Sequence, residues 1–182
     1  FCSRLLSKSY QEKGCHYHMK HKKIITYKEL LQERKLAKQI EAFGIKKFFI
    51  FTNGCFDIFH AGHASLLHSM KNACTLNSKL IVGINGDASV KALKGENRPI
   101  IPAKQRAYTV ACHEAVDWVF IFNTKTVAKQ LKEIQPDFWC KGGDYDEGSL
   151  NKAEMKAKGS AILKVIPFVE NISSTSIINK LK

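Results

Sequence analysis

Five short apolar runs recur along this chain, and stretches with helical spacing separate them. The runs are Phe48-Phe49-Ile50-Phe51, Leu80-Ile81-Val82-Gly83-Ile84, Trp118-Val119-Phe120-Ile121, Phe138-Trp139-Cys140 and residues 161–166. The first is unbroken, which predicts a strand covered on both faces. Between the runs, residues 61–73, 88–93, 103–113, 126–134 and 150–158 read as helices, and a last helix opens at Ser174 or Thr175. Strand-helix alternation at this spacing implies right-handed parallel crossovers. The expected fold is therefore α/β: a Rossmann-like, doubly wound, parallel five-stranded sheet in a single domain. In such sheets the ligand lies beyond the C-terminal ends of the strands. The 182 residues, 45% hydrophobic and 25% charged, suit one domain of globular composition.

Ahead of the first strand, residues 26–42 read as a helix. Thr26 is the expected N-cap, Glu29 follows three residues later and Gly44 sits beyond the end. Residues 1–23 show no clear period and read as a flexible basic tail, leaving residues 24–182 as the folded domain. The net charge of +13 raises the question of a polyanionic partner. Of that charge, +8 falls in residues 1–50, a segment that need not lie near the site. Six scattered cysteines without a Cys-x-x-Cys pair point to reduced thiols and a cytoplasmic setting. No apolar run is long enough for a membrane span.

The chemistry-bearing segment is Thr52-Asn53-Gly54-Cys55-Phe56-Asp57-Ile58-Phe59-His60-Ala61-Gly62-His63, directly after the first strand. Gly54 permits a tight turn that exposes backbone N–H groups. The next helix starts near Ala61, and a helix start offers free donors and a positive dipole end to phosphate. His60 and His63, three positions apart, share a helical face, and Gly62 leaves room between them for a nucleotide. Two ordinary histidines at a helix start are the plain alternative. The coincidence of two imidazoles, a glycine, a strand before and a helix after argues against it.

On these residues the chain resembles the cytidylyltransferase-like nucleotidyltransferases. His60-Ala61-Gly62-His63 is similar to their His-x-Gly-His signature and Gly54-Cys55-Phe56-Asp57 to their Gly-x-Phe-Asp element. The likeness is to the branch that adenylylates heptose 1-phosphate, alone or as half of a bifunctional enzyme, and it covers residue 24 onward.

The later motifs are weaker as bare patterns. Lys91, Lys94 and Arg98 on a glycine-containing loop could close over a polyphosphate, and a solvated loop explains them equally well. The Lys-Gly-x-x-Arg-Pro-Ile stretch resembles that branch, which implies that Lys94 contacts the reacting phosphates and Arg98 the sugar phosphate. The resemblance also implies nucleotide contacts at Asn53, Gly54, Cys55, Phe56, Asp57, Gly62, Asp87 and Arg106. It adds Lys141, Gly142, Gly143 and Asp144 from Lys-Gly-Gly-Asp-Tyr, and Ser173, Ser174 and Thr175 before the last helix. Ser176 stands where some relatives carry arginine, so no arginine contact to phosphate is expected there.

The reaction the resemblance implies is transfer of AMP from ATP to heptose 1-phosphate, giving ADP-heptose for lipopolysaccharide core synthesis and releasing pyrophosphate. His60, His63 and Lys94 are the expected catalytic residues, and Mg²⁺ is the expected cation, with Asp144 as its carboxylate. Small molecules are the expected partners, within a cytoplasmic homodimer. A cytidylyltransferase using CTP and glycerol 3-phosphate shares the histidine and Ser-Thr elements. A non-catalytic nucleic-acid-binding module would explain +13 but not motifs placed after successive strands.

Overall fold

A computed structural model describes residues 20–74, 77–143, 150–167 and 173–180. Its helices and strands alternate as α1 (Tyr27–Glu41), β1 (Phe48–Gly54), α2 (Ala61–Asn72), β2 (Ser78–Asn85), α3 (Asp87–Lys94) and α4 (Ala103–Ala111). They continue as β3 (Trp118–Phe122), α5 (Ala128–Ile134), β4 (Phe138–Gly142), α6 (Lys152–Ala157), β5 (Ile162–Ile166) and α7 (Ser174–Asn179). The five strands form one parallel sheet in the order β3-β2-β1-β4-β5. The expected doubly wound α/β fold is the one observed.

Period-two alternation sorts each strand onto two hydrophobic layers. Ile50, Val82, Ile84 and Cys140 face a layer closed by Leu67 and Met70 of α2 and Val110 and Ala111 of α4. Phe49, Phe51, Ile81, Phe120 and Trp139 face the opposite layer, closed by Leu30 of α1 and Leu131 and Ile134 of α5. A strand with both faces covered needs apolar residues at every position, which is why the first run is unbroken. Trp139 and Met70 are fully buried, as core residues should be. Trp118 is only half-buried because β3 is an outer strand.

The chain leaves β1 toward β2 and β3, then crosses back to place β4 on the other flank of β1. A crevice opens where the winding reverses, at the C-terminal ends of β1 and β4. Residues 23–25 run alongside β3: Val119 N donates to Lys23 O (2.8 Å) and Ile25 N donates to Val119 O (3.0 Å). His21 packs edge-on against Tyr108, and the Lys23 ammonium donates to His113 O. Residues 1–19 of the expected tail lie outside the described residues.

Candidate active site

β1 ends in polar residues that bend the chain toward α2. Phe56 and Ile58 have positive φ (49° and 53°), a conformation unfavourable for any side-chain-bearing residue. Asp57, between them and 1% exposed, anchors the bend. Its carboxylate accepts from Ile100 N, Ile101 N (2.9 Å) and Arg98 Nε (2.7 Å). The Ser174 hydroxyl of α7 donates to the Asp57 carbonyl. Burial alone would raise the Asp57 pKa, but the two backbone donors and the Arg98 guanidinium outweigh it and hold the carboxyl below its ordinary range.

His60 is the N-cap of α2, and the expected face-sharing pair forms: the His60 and His63 rings stack with centroids 3.8 Å apart and planes 24° from parallel. His63 also stacks on Phe59 at 5.6 Å and meets Phe56 at 5.2 Å. Burial first, then the nearby His60 and Lys94, lowers the His63 pKa to about 4. Burial likewise lowers that of His60. Both imidazoles are therefore neutral at pH 7. His63 Nδ1 accepts from His60 N (3.4 Å), which assigns its single proton to Nε2 and makes that atom a donor. His60 Nδ1 is buried and has no partner among the described residues.

A cavity of about 130 Å³ lies against this turn. It brings together Asn53, Gly54, Cys55, Phe56, Asp57 and His63 with Lys94, Lys141, Gly142 and Ser174, so five separate segments meet. Thr52, which opens the chemistry-bearing segment, and Leu66, which carries no sequence signal because it reads as helix core, also line it. Lys141 is buried, and its ammonium donates to Asn53 Oδ1 (2.8 Å), joining the ends of β4 and β1 across the crevice. A β-carbon at Gly54 would stand 3.0 Å from the Phe56 ring, so glycine is what fits beneath that ring. A larger cleft of about 920 Å³ opens at the opposite end of the sheet. It contains none of the motif residues and is broad and solvent-facing, so size does not identify the site.

His60 and the remaining expected contacts are not among the residues that line this cavity. Gly62 is buried in the first turn of α2 and Gly143 is exposed past β4. Arg98 is held by Asp57 with its Nη2 buried and unpartnered among the described residues. Asp87 accepts from Ala103 N and from Arg106, whose guanidinium lies beneath the site with no solvent exposure. Ser173 caps α7 by accepting from Ser176 N, Ser173 N donates in turn to Ser176 Oγ, and Thr175 is exposed. Asp144 lies outside the described residues. Cys55, Cys74, Cys112 and Cys140 are unbridged. No helix among the described residues is long and apolar enough to cross a membrane.

A family model described as cytidylyltransferase-like matches residues 51–180, from the middle of β1 through α7. The chain belongs to the cytidylyltransferase-like family. Among curated relatives, the bifunctional protein HldE of Proteus mirabilis is 46% identical over 134 residues, which cover 73% of this chain and 27% of the relative. The bifunctional protein HldE of Helicobacter pylori is 40% identical over 157 residues, covering 86% of this chain and 32% of the relative. The chain thus spans about a third or less of the length of these relatives. Among solved structures, the lipopolysaccharide core biosynthesis protein from Thermoplasma volcanium superposes with a TM-score of 0.55. Its identity is 22%, and the match covers 69% of this chain and 98% of that one, a likeness of fold. Every segment that lines the cavity falls inside the cytidylyltransferase-like match.

Proposed function

We propose that the chain transfers AMP from ATP to heptose 1-phosphate, releasing pyrophosphate and giving ADP-heptose for lipopolysaccharide core synthesis. An oxygen of the sugar phosphate attacks the α-phosphorus, the α–β bridging bond breaks, and its electron pair leaves with pyrophosphate. A phosphate monoester is already anionic near neutral pH, so the protein need not supply a strong base. Its task is alignment and stabilisation of charge growing on the phosphates.

The observation that carries this reading is the neutral imidazole of His63, stacked on His60 at the opening turn of α2 and lining the same cavity as Lys94. Neutral rings donate without carrying a charge that would bind the ground-state triphosphate as tightly as the transition state. His60 and His63 donate to the α-phosphate oxygens, and Lys94 neutralises the leaving group. Asn53, Gly54, Gly62, Lys141, Gly142, Gly143 and Ser174 form the nucleotide cradle, and Arg98, through its unpartnered Nη2, meets the sugar phosphate.

When bound, Mg²⁺ would supply charge neutralisation of the phosphates. No group of three His, Cys, Asp or Glu suited to chelation occurs among the described residues, and Asp144 is the carboxylate that would help hold the ion. The working unit is a cytoplasmic homodimer.

The test is a pyrophosphate-release screen of ATP and CTP against sugar and polyol phosphates with Mg²⁺. Release with ATP and heptose 1-phosphate is the expected result. Preference for CTP with glycerol 3-phosphate supports the cytidylyltransferase reading instead. Salt-dependent RNA binding without release from either triphosphate supports a nucleic-acid-binding module.

A further inference from the structure

Arg106 of α4 has a side chain with no solvent exposure, so its charge must be met inside the protein. Its planar fork reaches four oxygens. Nε donates to Ile101 O (2.7 Å), Nη1 to Cys55 O (2.5 Å), and Nη2 to Asn85 O (2.8 Å) and Asp87 Oδ1 (2.8 Å). These acceptors come from three separate turns: the bend after β1, the turn after β2, and the loop between α3 and α4. Asp87 is the first residue of α3 and Ile101 closes the loop after it, so one guanidinium ties both ends of the segment that carries Lys94. Its remaining arm holds the bend that leads to His60 and His63. From the other side, Asp57 grips the same loop through Ile100 N and Ile101 N.

We infer that Arg106 is a positioning residue: through the main chain of these three turns it sets Lys94 against the histidine pair without itself touching the nucleotide. The inference rests on the nucleotidyl-transfer reading above. All three arms need donors in one plane at fixed angles. Arginine supplies five such N–H groups, whereas a lysine ammonium is a compact charge with three donors at one point. Lysine at 106 would keep the charge and most of the volume but hold only one turn. Placement errors of about 1 Å cost on the order of 100-fold in rate when the reacting groups must be aligned.

The experiment compares the intact chain with Arg106→Lys, Lys94→Ala and the double variant, measuring kcat and the triphosphate KM well below each melting temperature. Arg106→Lys is expected to lower kcat by about 10- to 100-fold with KM changed less than about three-fold. In the Lys94→Ala background, the same substitution is expected to cost less than about three-fold, because the group it positions is gone. Multiplying losses in the double variant, a raised KM with kcat intact, or wild-type turnover would each overturn the inference. If Arg106→Lys does not fold, Asp87→Asn is read in the same cycle: it weakens one arm, should lower kcat several-fold, and should be absorbed in the Lys94→Ala background. Amide hydrogen exchange supplies a readout without turnover. Exchange across residues 95–101 should quicken in Arg106→Lys while β1 and β2 keep their protection, and unchanged exchange in that loop overturns the inference. Should the intact chain release no pyrophosphate while this exchange response is present, the functional reading falls and the tie stands.

Discussion

At the scale of single residues, the site is built from imidazoles held neutral by burial, and that has two consequences. Removing one charge-stabilising donor from such a site costs on the order of 10²–10³ in rate. His63→Ala is therefore expected to lose that much kcat while circular dichroism shows an intact fold; unchanged turnover would take His63 out of the mechanism. The second consequence concerns pH. With a folded pKa of about 4 against an ordinary 6.5, His63 stays an uncharged donor down to mildly acidic conditions, so the His63-dependent part of kcat should fall only as pH approaches about 4. Stability behaves differently. Between pH 6.5 and about 4 the unfolded chain binds a proton at this position that the folded chain does not. The contribution of His63 to stability is thus complete above pH 6.5 and lost as pH falls toward 4. His63→Gln should flatten that part of the acid limb in denaturant titrations; an unaltered limb would show that the ring protonates freely in the fold. The histidine pair was legible in the sequence, since three-residue spacing on a helix start dictates a shared face. The partners of Asp57 were not, because two of its three donors are backbone N–H groups more than 40 positions away, and backbone groups leave no trace in residue identity.

Among the elements, boundaries follow local chemistry. The Thr26–Glu29 capping box was readable from spacing and forms as expected: Thr26 Oγ1 accepts from Glu29 N and Thr26 N donates to Glu29 Oε2 (2.7 Å). β1, by contrast, continues three residues past its apolar run through Thr52, Asn53 and Gly54, because sheet pairing with β2 extends to Gly54↔Ile84 whatever the side chains. That extension carries the polar residues to the rim of the crevice. The end of α5 offers a test of backbone chemistry. Gln135 closes it in the left-handed region (φ 48°), is exposed, and precedes Pro136. Glycine takes that conformation without steric penalty, and a left-handed non-glycine residue costs roughly 1–2 kcal/mol. The Lys38 contact to the Gln135 side chain is an exposed surface bond of little worth. Gln135→Gly is therefore expected to raise the melting temperature by a few degrees, and a drop would mean that the side chain matters more than the backbone.

For the molecule as a whole, the sheet order decides where chemistry can occur. The winding reverses between β1 and β4, and the motifs after those two strands meet there. Residue spacing places both motifs after strands, but the strand order that joins Asn53 to Lys141, 88 positions apart, at 2.8 Å is visible only in the folded sheet. The distribution of charge was legible in part, since +8 of the +13 falls in residues 1–50. The excess of basic residues draws attention to a polyanion, yet Arg34, Lys38 and Lys46 border the cleft at the opposite end of the sheet, away from the histidines. Arg106, the one fully buried guanidinium among the described residues, bonds to protein oxygens in three turns. Sequence resemblance marks such a residue without distinguishing a ligand contact from a tie between loops; only the location of its acceptors does so.

Phe56 and Ile58 hold left-handed backbone on either side of Asp57, a contortion of about 1–3 kcal/mol each that the surrounding bonds maintain. The work of shaping this turn is thus completed during folding, before any nucleotide arrives. A triphosphate would meet a receptor already set, with little rearrangement left for the encounter itself. Stopped-flow mixing should accordingly record a single association phase at the bend, its rate proportional to nucleotide concentration and free of a slow concentration-independent lag.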